Sequence, residues 1–144
     1  MEFTTTNGQK EVKIIAASFK DAANLKKATI KALKNAEIID GLEINISNNS
    51  NILNKLSEAL MSIDTSEEFE SAVFECLKSC IYDTQGLKLK ITPQLFDDIP
   101  DAREDYYEIV AKCCEENLRP FFKSLVSELK TRFKQMGTNF PEQE

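Results

Sequence analysis

The chain has 144 residues, 42% hydrophobic and 29% charged, with a formal net charge of −6. That length suits one ordinary domain with a sizeable core, and the apolar share excludes a disordered chain. The acidic balance argues against nucleic acid as the main partner, and no apolar run approaches the roughly 20 residues that span a bilayer.

The N-terminus, MEFTTTNGQKEVK, lacks the positive start and apolar run of a signal peptide, so the cytoplasm is the expected location. Phe3-Thr4-Thr5-Thr6 is β-prone, Asn7-Gly8 is the strongest two-residue turn signal, and Val12-Lys13-Ile14-Ile15 follows. An opening hairpin is expected there. Ser18 with Asp21 reads as the cap of a helix, with Ala22, Leu25, Thr29, Leu33 and Ala36 on one face and Lys20, Lys27, Lys31 and Lys34 opposite.

Residues 42–46 alternate as a short strand, and Asn48-Asn49-Ser50 reads as a loop and cap. Ile52, Leu53, Leu56, Ala59, Leu60 and Ile63 define a second helix. Thr65 with Glu68 caps a third, whose apolar stripe is Phe69, Val73, Cys76, Leu77 and Cys80. Gln85-Gly86 turns into Leu87-Lys88-Leu89-Lys90-Ile91, an alternation expected to pair with the opening hairpin. Thr92-Pro93 starts a short helical turn ending near Asp98.

Asp101 with Glu104 caps a long helix, with Tyr107, Val110, Ala111, Cys114 and Leu118 turned inward. Pro120 forces a kink or restart, because proline inside a helix costs about 3 kcal/mol. Phe121, Phe122, Leu125, Val126, Leu129 and Phe133 make the last amphipathic helix, which ends at Gly137. Residues 138–144 read as a mobile tail to a single domain over residues 1–137. The expected fold class is α+β, predominantly α, with about five helices packed on a small sheet. That sheet is formed by the N-terminal hairpin and a strand near residues 87–91.

The chemical inventory is thin. The sequence has no histidine, which removes Ser-His and Cys-His nucleophile pairs and most catalytic zinc sites. Its four glycines form no phosphate-cradling loop. Cys76 and Cys80 are spaced i, i+4, while Cys113 and Cys114 diverge by about 100° on a helix, so the four read as buried free thiols rather than a zinc site. Asp97, Asp98, Asp101, Glu104 and Asp105 read as acids opening a helix, the alternative being a metal or hydrolytic site. No cofactor is expected, and the enzyme reading rests on those acids alone.

What remains is surface. Tyr106-Tyr107 and Phe121-Phe122 are adjacent aromatic pairs, so one ring of each is a candidate anchor at the rim of the core. Residues 1–36 carry seven lysines against three acids, and the remainder eleven Lys/Arg against twenty-one acids. That asymmetry suits steering of a partner, or packing of one half against the other. Lys20, Lys27, Lys31 and Lys34 join the aromatics as candidate protein-binding residues; without interleaved aromatics they do not suggest nucleic-acid stacking.

Four blocks carry a family likeness: Val12-Lys13-Ile14-Ile15-Ala16-Ala17-Ser18-Phe19-Lys20-Asp21-Ala22, Ile91-Thr92-Pro93-Gln94-Leu95-Phe96-Asp97-Asp98, Tyr106-Tyr107-Glu108-Ile109-Val110, and Asn117-Leu118-Arg119-Pro120-Phe121-Phe122-Lys123-Ser124-Leu125. Together they resemble the small tail assembly chaperones of long-tailed bacteriophages and prophages, the Asn-Leu-x-Pro-Phe-Phe segment most of all. The resemblance implies a non-enzymatic morphogenesis factor in the host bacterial cytoplasm. It would hold the hydrophobic, helix-forming segments of the tape-measure protein, or another tail protein, soluble while the tail tube polymerises. It implies neither a nucleic-acid nor a membrane partner and leaves a homo-oligomer open. The alternative within the same biology is a head-tail connector or tail-terminator subunit that stays in the virion; the alternative of another class is a carboxylate-dependent metal-binding enzyme.

Overall fold

The computed structural model describes residues 1–34 and 66–121, together with residues 123, 124, 127, 128 and 131; of Leu33 and Lys34 only the backbone is described. The expected strand at residues 42–46, the second helix, most of the last helix and the tail lie outside the described residues.

Among the described residues, four short strands form one antiparallel sheet in the order β1-β2-β3-β4: β1 Glu2–Thr4, β2 Glu11–Lys13, β3 Ile81–Thr84 and β4 Leu87–Lys90. Three- and four-residue strands leave room for a single inward row. The register aligns Phe3 with Val12, Val12 with Tyr82, and Tyr82 with Leu89, so one apolar row crosses all four strands. Val12 and Tyr82 are fully buried at its centre, with Phe3 and Leu89 packed at its ends. The flanking rows run Glu2, Lys13, Ile81, Lys90 and Thr4, Glu11, Asp83, Lys88, as alternation requires of a sheet with one wet face.

The helices are α1 Phe19–Lys34, α2 Glu67–Leu77, α3 Pro93–Asp98 and α4 Pro100–Leu118, followed by a 3-10 turn at Arg119–Phe121. The α+β class is therefore as expected, with four α-helices among the described residues. Ser18 caps α1 through its Oγ, which accepts from the Asp21 amide at 3.2 Å. Ala22, Leu25, Ala28, Thr29 and Ile30 form its buried face, against α2 and α4. The cap of α2 is Ser66 rather than Thr65, its Oγ accepting from the Phe69 amide at 3.2 Å. Helix α4 starts at Pro100 with Ile99 at the cap position and no side-chain cap, so Asp101 lies in its first turn instead of capping it. The interruption expected at Pro120 is the 3-10 turn.

Two expectations about the sheet are corrected. Strand β4 does not pair with the opening hairpin; β3 intervenes, pairing with β2 on one side and β4 on the other. Helix α2 stops at Leu77, so Cys80 precedes a strand rather than ending a helical stripe. The β3–β4 turn has positive φ at both central residues, Gln85 (54°) and Gly86 (83°), as a two-residue hairpin needs.

The Asn7-Gly8 segment is no tight turn. Thr4 pairs with Glu11, which leaves residues 5–10 as a loop closed by the Thr5 amide donating to the Lys10 carbonyl at 2.8 Å. The left-handed residue is Gln9, with φ 53°. The loop opens because it docks on α4. Asn7 Nδ2 donates to the Glu104 carbonyl at 3.0 Å, the Gly8 amide to Asp105 Oδ1 at 2.8 Å, and the Thr6 amide to Glu108 Oε2 at 2.9 Å. A Cβ on Gly8 would collide with Asp105 Oδ2. Gly8→Ala is accordingly expected to lower stability by about 1–2 kcal/mol, the cost of overpacking a tight site, in a urea unfolding curve.

Asn117 makes the second strap. Its Oδ1 accepts from the Ala17 amide at 2.8 Å while its Nδ2 donates to the Cys113 carbonyl at 2.9 Å. The chain between β2 and α1 is thereby fixed to the end of α4.

Candidate functional site

Two aromatic surfaces emerge from this frame. The first is a ladder of rings running from the core outward. Phe74 of α2 lies 6.0 Å from Phe96 of α3 and 6.4 Å from Tyr106 of α4; Phe96 meets Tyr106 edge-on at 5.1 Å, and Tyr106 meets Tyr107 at 5.2 Å. Phe96 is buried and Tyr106 half-buried, but Tyr107 is 61% exposed. That corrects the inward placement of Tyr107: α4 buries Ala102, Asp105, Ile109, Val110, Cys113, Cys114, Asn117 and Leu118, a face centred about 100° away. Burial, then the nearby Glu70 carboxylate, pushes the Tyr106 hydroxyl above the ordinary phenol range. Beside the ladder a groove of about 570 Å³ runs along α2 to the start of α3, with Phe74, Ile91 and Pro93 as its apolar lining and Glu67, Glu70 and Glu75 along its rim.

The second surface lies at the start of α1. Phe19 is 78% exposed, and its ring tilts against that of Phe121 with centroids 5.8 Å apart. Lys26 Nζ stands 5.8 Å over the Phe121 ring while donating to Ser124 Oγ at 2.7 Å and pairing with Glu128 at 3.1 Å. Ile15, 40% exposed, precedes it in the chain. Phe122 lies outside the described residues. Sequence reasoning missed Phe19, although the signal was present: a cap at Ser18 makes Phe19 the first helical residue, ahead of the buried stripe that begins at Ala22.

The lysine face divides. Lys20 is exposed beside Phe19. Lys31 pairs with Glu68 at 2.8 Å, and Lys27 lines a depression of about 300 Å³ shared with Glu68 and Glu75. The side chain of Lys34 lies outside what is described. The basic helix thus meets the acidic α2 within the molecule, and Lys78 returns the favour by pairing with Asp21 at 3.2 Å. The structure brings Tyr106 to Tyr107, and Phe121 to α1; among the described residues no ring contact joins the two aromatic surfaces.

All four cysteines are free and buried. A hydrogen bond from the Cys113 thiol holds Cys76 below the ordinary thiol range, and the same contact together with burial pushes Cys113 well above it. Burial, then the neighbouring Cys76, pushes Cys114 up to about 12, and burial raises Cys80 against the lowering effect of its backbone hydrogen bond at Ile15. The acids near α4 scatter: Asp105 is buried, Asp97 lies 3.7 Å from Arg103, and Asp98 accepts from Gln94 at 2.9 Å. Among the described residues no group of three or more candidate ligands is arranged to hold a metal, and no helix is long and apolar enough to cross a membrane.

The family model described as phage tail assembly chaperone protein, TAC, matches residues 6–130. No curated protein and no solved structure matches the chain.

Proposed function

This chain belongs to the phage tail assembly chaperone family, and from that premise we propose that it binds hydrophobic, helix-forming segments of the tape-measure protein without catalysing any reaction. Membership gives a role in tail assembly; the client and the contact are the proposal. Phe19 carries it. A phenyl ring 78% exposed at a helix start, backed by a second ring at Phe121, is a ready apolar anchor for another chain. Lys20 beside it, and Lys26 over the Phe121 ring, keep this apolar spot framed by charge, as the rim of an interface is. The work is done in the host cytoplasm, before the tail tube closes around its ruler.

Co-expression with the tape-measure protein tests this directly: the wild-type chain should raise the soluble fraction and co-purify with it. Phe19→Asp should weaken the complex by tenfold or more while leaving the urea midpoint unchanged, since the ring contributes little to the core. An unchanged complex, or no rescue of solubility by the wild type, would reject the reading.

A further inference from the structure

The groove along α2 has a chemistry that the Phe19 surface lacks. Among the described residues its walls carry Glu67, Glu70 and Glu75 against one cation, Lys78, and Lys78 is already held by Glu75 at 3.0 Å and Asp21 at 3.2 Å. Its lining is apolar at Phe74 and Pro93, and Phe74 leads through Tyr106 to the exposed Tyr107. We propose that this groove is a second docking site, and that its occupant is an amphipathic helix of a partner protein bearing lysine or arginine along the edge of its apolar stripe.

Charge complementarity selects the sign. An acidic or neutral helix laid there would bring no counter-charge to the rim, whereas a cationic one pairs with Glu67 and Glu70 as its apolar residues cover Phe74. The geometry selects the shape. The rim from Glu67 to Glu75 follows α2, whose 11 residues run for about 16 Å at 1.5 Å per residue, roughly three turns. Glu67 and Glu70 stand one turn apart, so cations one turn apart on a facing helix meet both. Tyr107 lies outside the groove's lining, exposed at the outer end of the ladder, and is the ring we assign to a third cation on a helix that reaches past Phe74.

This inference takes from the proposed function only that the partner is a polypeptide, and its test is separate. Two helical peptides with the same leucine stripe, one flanked by lysines and one by glutamates, are titrated into the full-length protein and followed by fluorescence anisotropy. The lysine peptide should bind about tenfold more tightly at low salt. Glu67→Lys combined with Glu70→Lys should abolish that preference, and Tyr107→Ala should weaken the lysine peptide several-fold; all three positions are exposed, and an unchanged urea midpoint confirms folding. Phe19→Asp should leave the preference intact, so failure of the tape-measure contact and failure of this site read out independently. Equal affinities, a preference for the acidic peptide, or a preference that survives the double charge reversal would each overturn the proposal.

Discussion

Asp105→Ala is expected to destabilise the protein by about 3–5 kcal/mol, enough to threaten folding of a domain this size. The carboxylate is fully buried and accepts from two groups distant in sequence, the Gly8 amide at 2.8 Å and the Tyr82 hydroxyl at 3.1 Å. Truncation removes two hydrogen bonds to a charged acceptor, about 1.5–3 kcal/mol each, and strands both donors away from water. Asp105→Asn should cost clearly less. Its carbonyl oxygen can still take the Gly8 amide, and its amide group can donate to a rotated Tyr82 hydroxyl. Urea unfolding of both variants checks the ranking, and a cycle with Tyr82→Phe isolates the pair. Equal losses for Ala and Asn would show that the carboxylate itself, which both variants lack, sets the cost, since Asn opens no cavity.

The second large effect is alkaline. Burial holds the Cys114 thiol protonated to about 12, against an ordinary 9.0, and Cys80, Cys113, Tyr82 and Tyr106 are pushed the same way. Cys76 alone among the cysteines moves down, and so opposes them. Above pH 9 the unfolded chain releases protons that the folded one keeps, so stability present below that pH is lost as pH climbs toward the folded values. Cys114 by itself accounts for about 2 kcal/mol of loss near pH 10.5, at 1.36 kcal/mol per unit. Urea midpoints at pH 8 and 10.5 should differ accordingly, and Cys114→Ala should reduce the difference by its own share, leaving that of the other four groups. A profile level to pH 11 would mean that these thiols open to water before they titrate.

These two effects describe the interior that presents the exposed rings. The Asp105 hub and the Asn117 strap tie the β1–β2 loop and the start of α1 to α4, which is also the helix carrying Tyr106 and Tyr107. Phe19 protrudes from a helix start fixed at Ser18, with Ala17 held one residue earlier by Asn117. Rigid support of this kind lets a bare aromatic ring stay outside without collapsing onto its own core, and limits the ordering cost when a partner covers it.

Local chemistry in the sequence determined the helices at 19–34, 67–77, 93–98 and 100–118, because apolar residues recur at helical spacing and Ser18, Pro93 and Pro120 punctuate them. It also identified the aromatic pair at Tyr106-Tyr107, and short blocks were enough for the family likeness. The segment that carried the likeness best owes part of its sequence to architecture: Asn117 is the buried strap and Pro120 the helix break. Tertiary packing decided the rest. Asn7-Gly8 promised a tight turn, but Gly8 is needed against Asp105, some hundred residues away, and the loop opens to reach it. Ile81 to Thr84 is too short to declare itself a strand until β2 and β4 flank it. Which tyrosine faces water depends on where α2 and α3 place Phe74 and Phe96. Turn chemistry and periodicity are settled among near neighbours in the chain, whereas burial is settled by whatever the fold brings alongside, and the binding surfaces are what that second choice leaves uncovered.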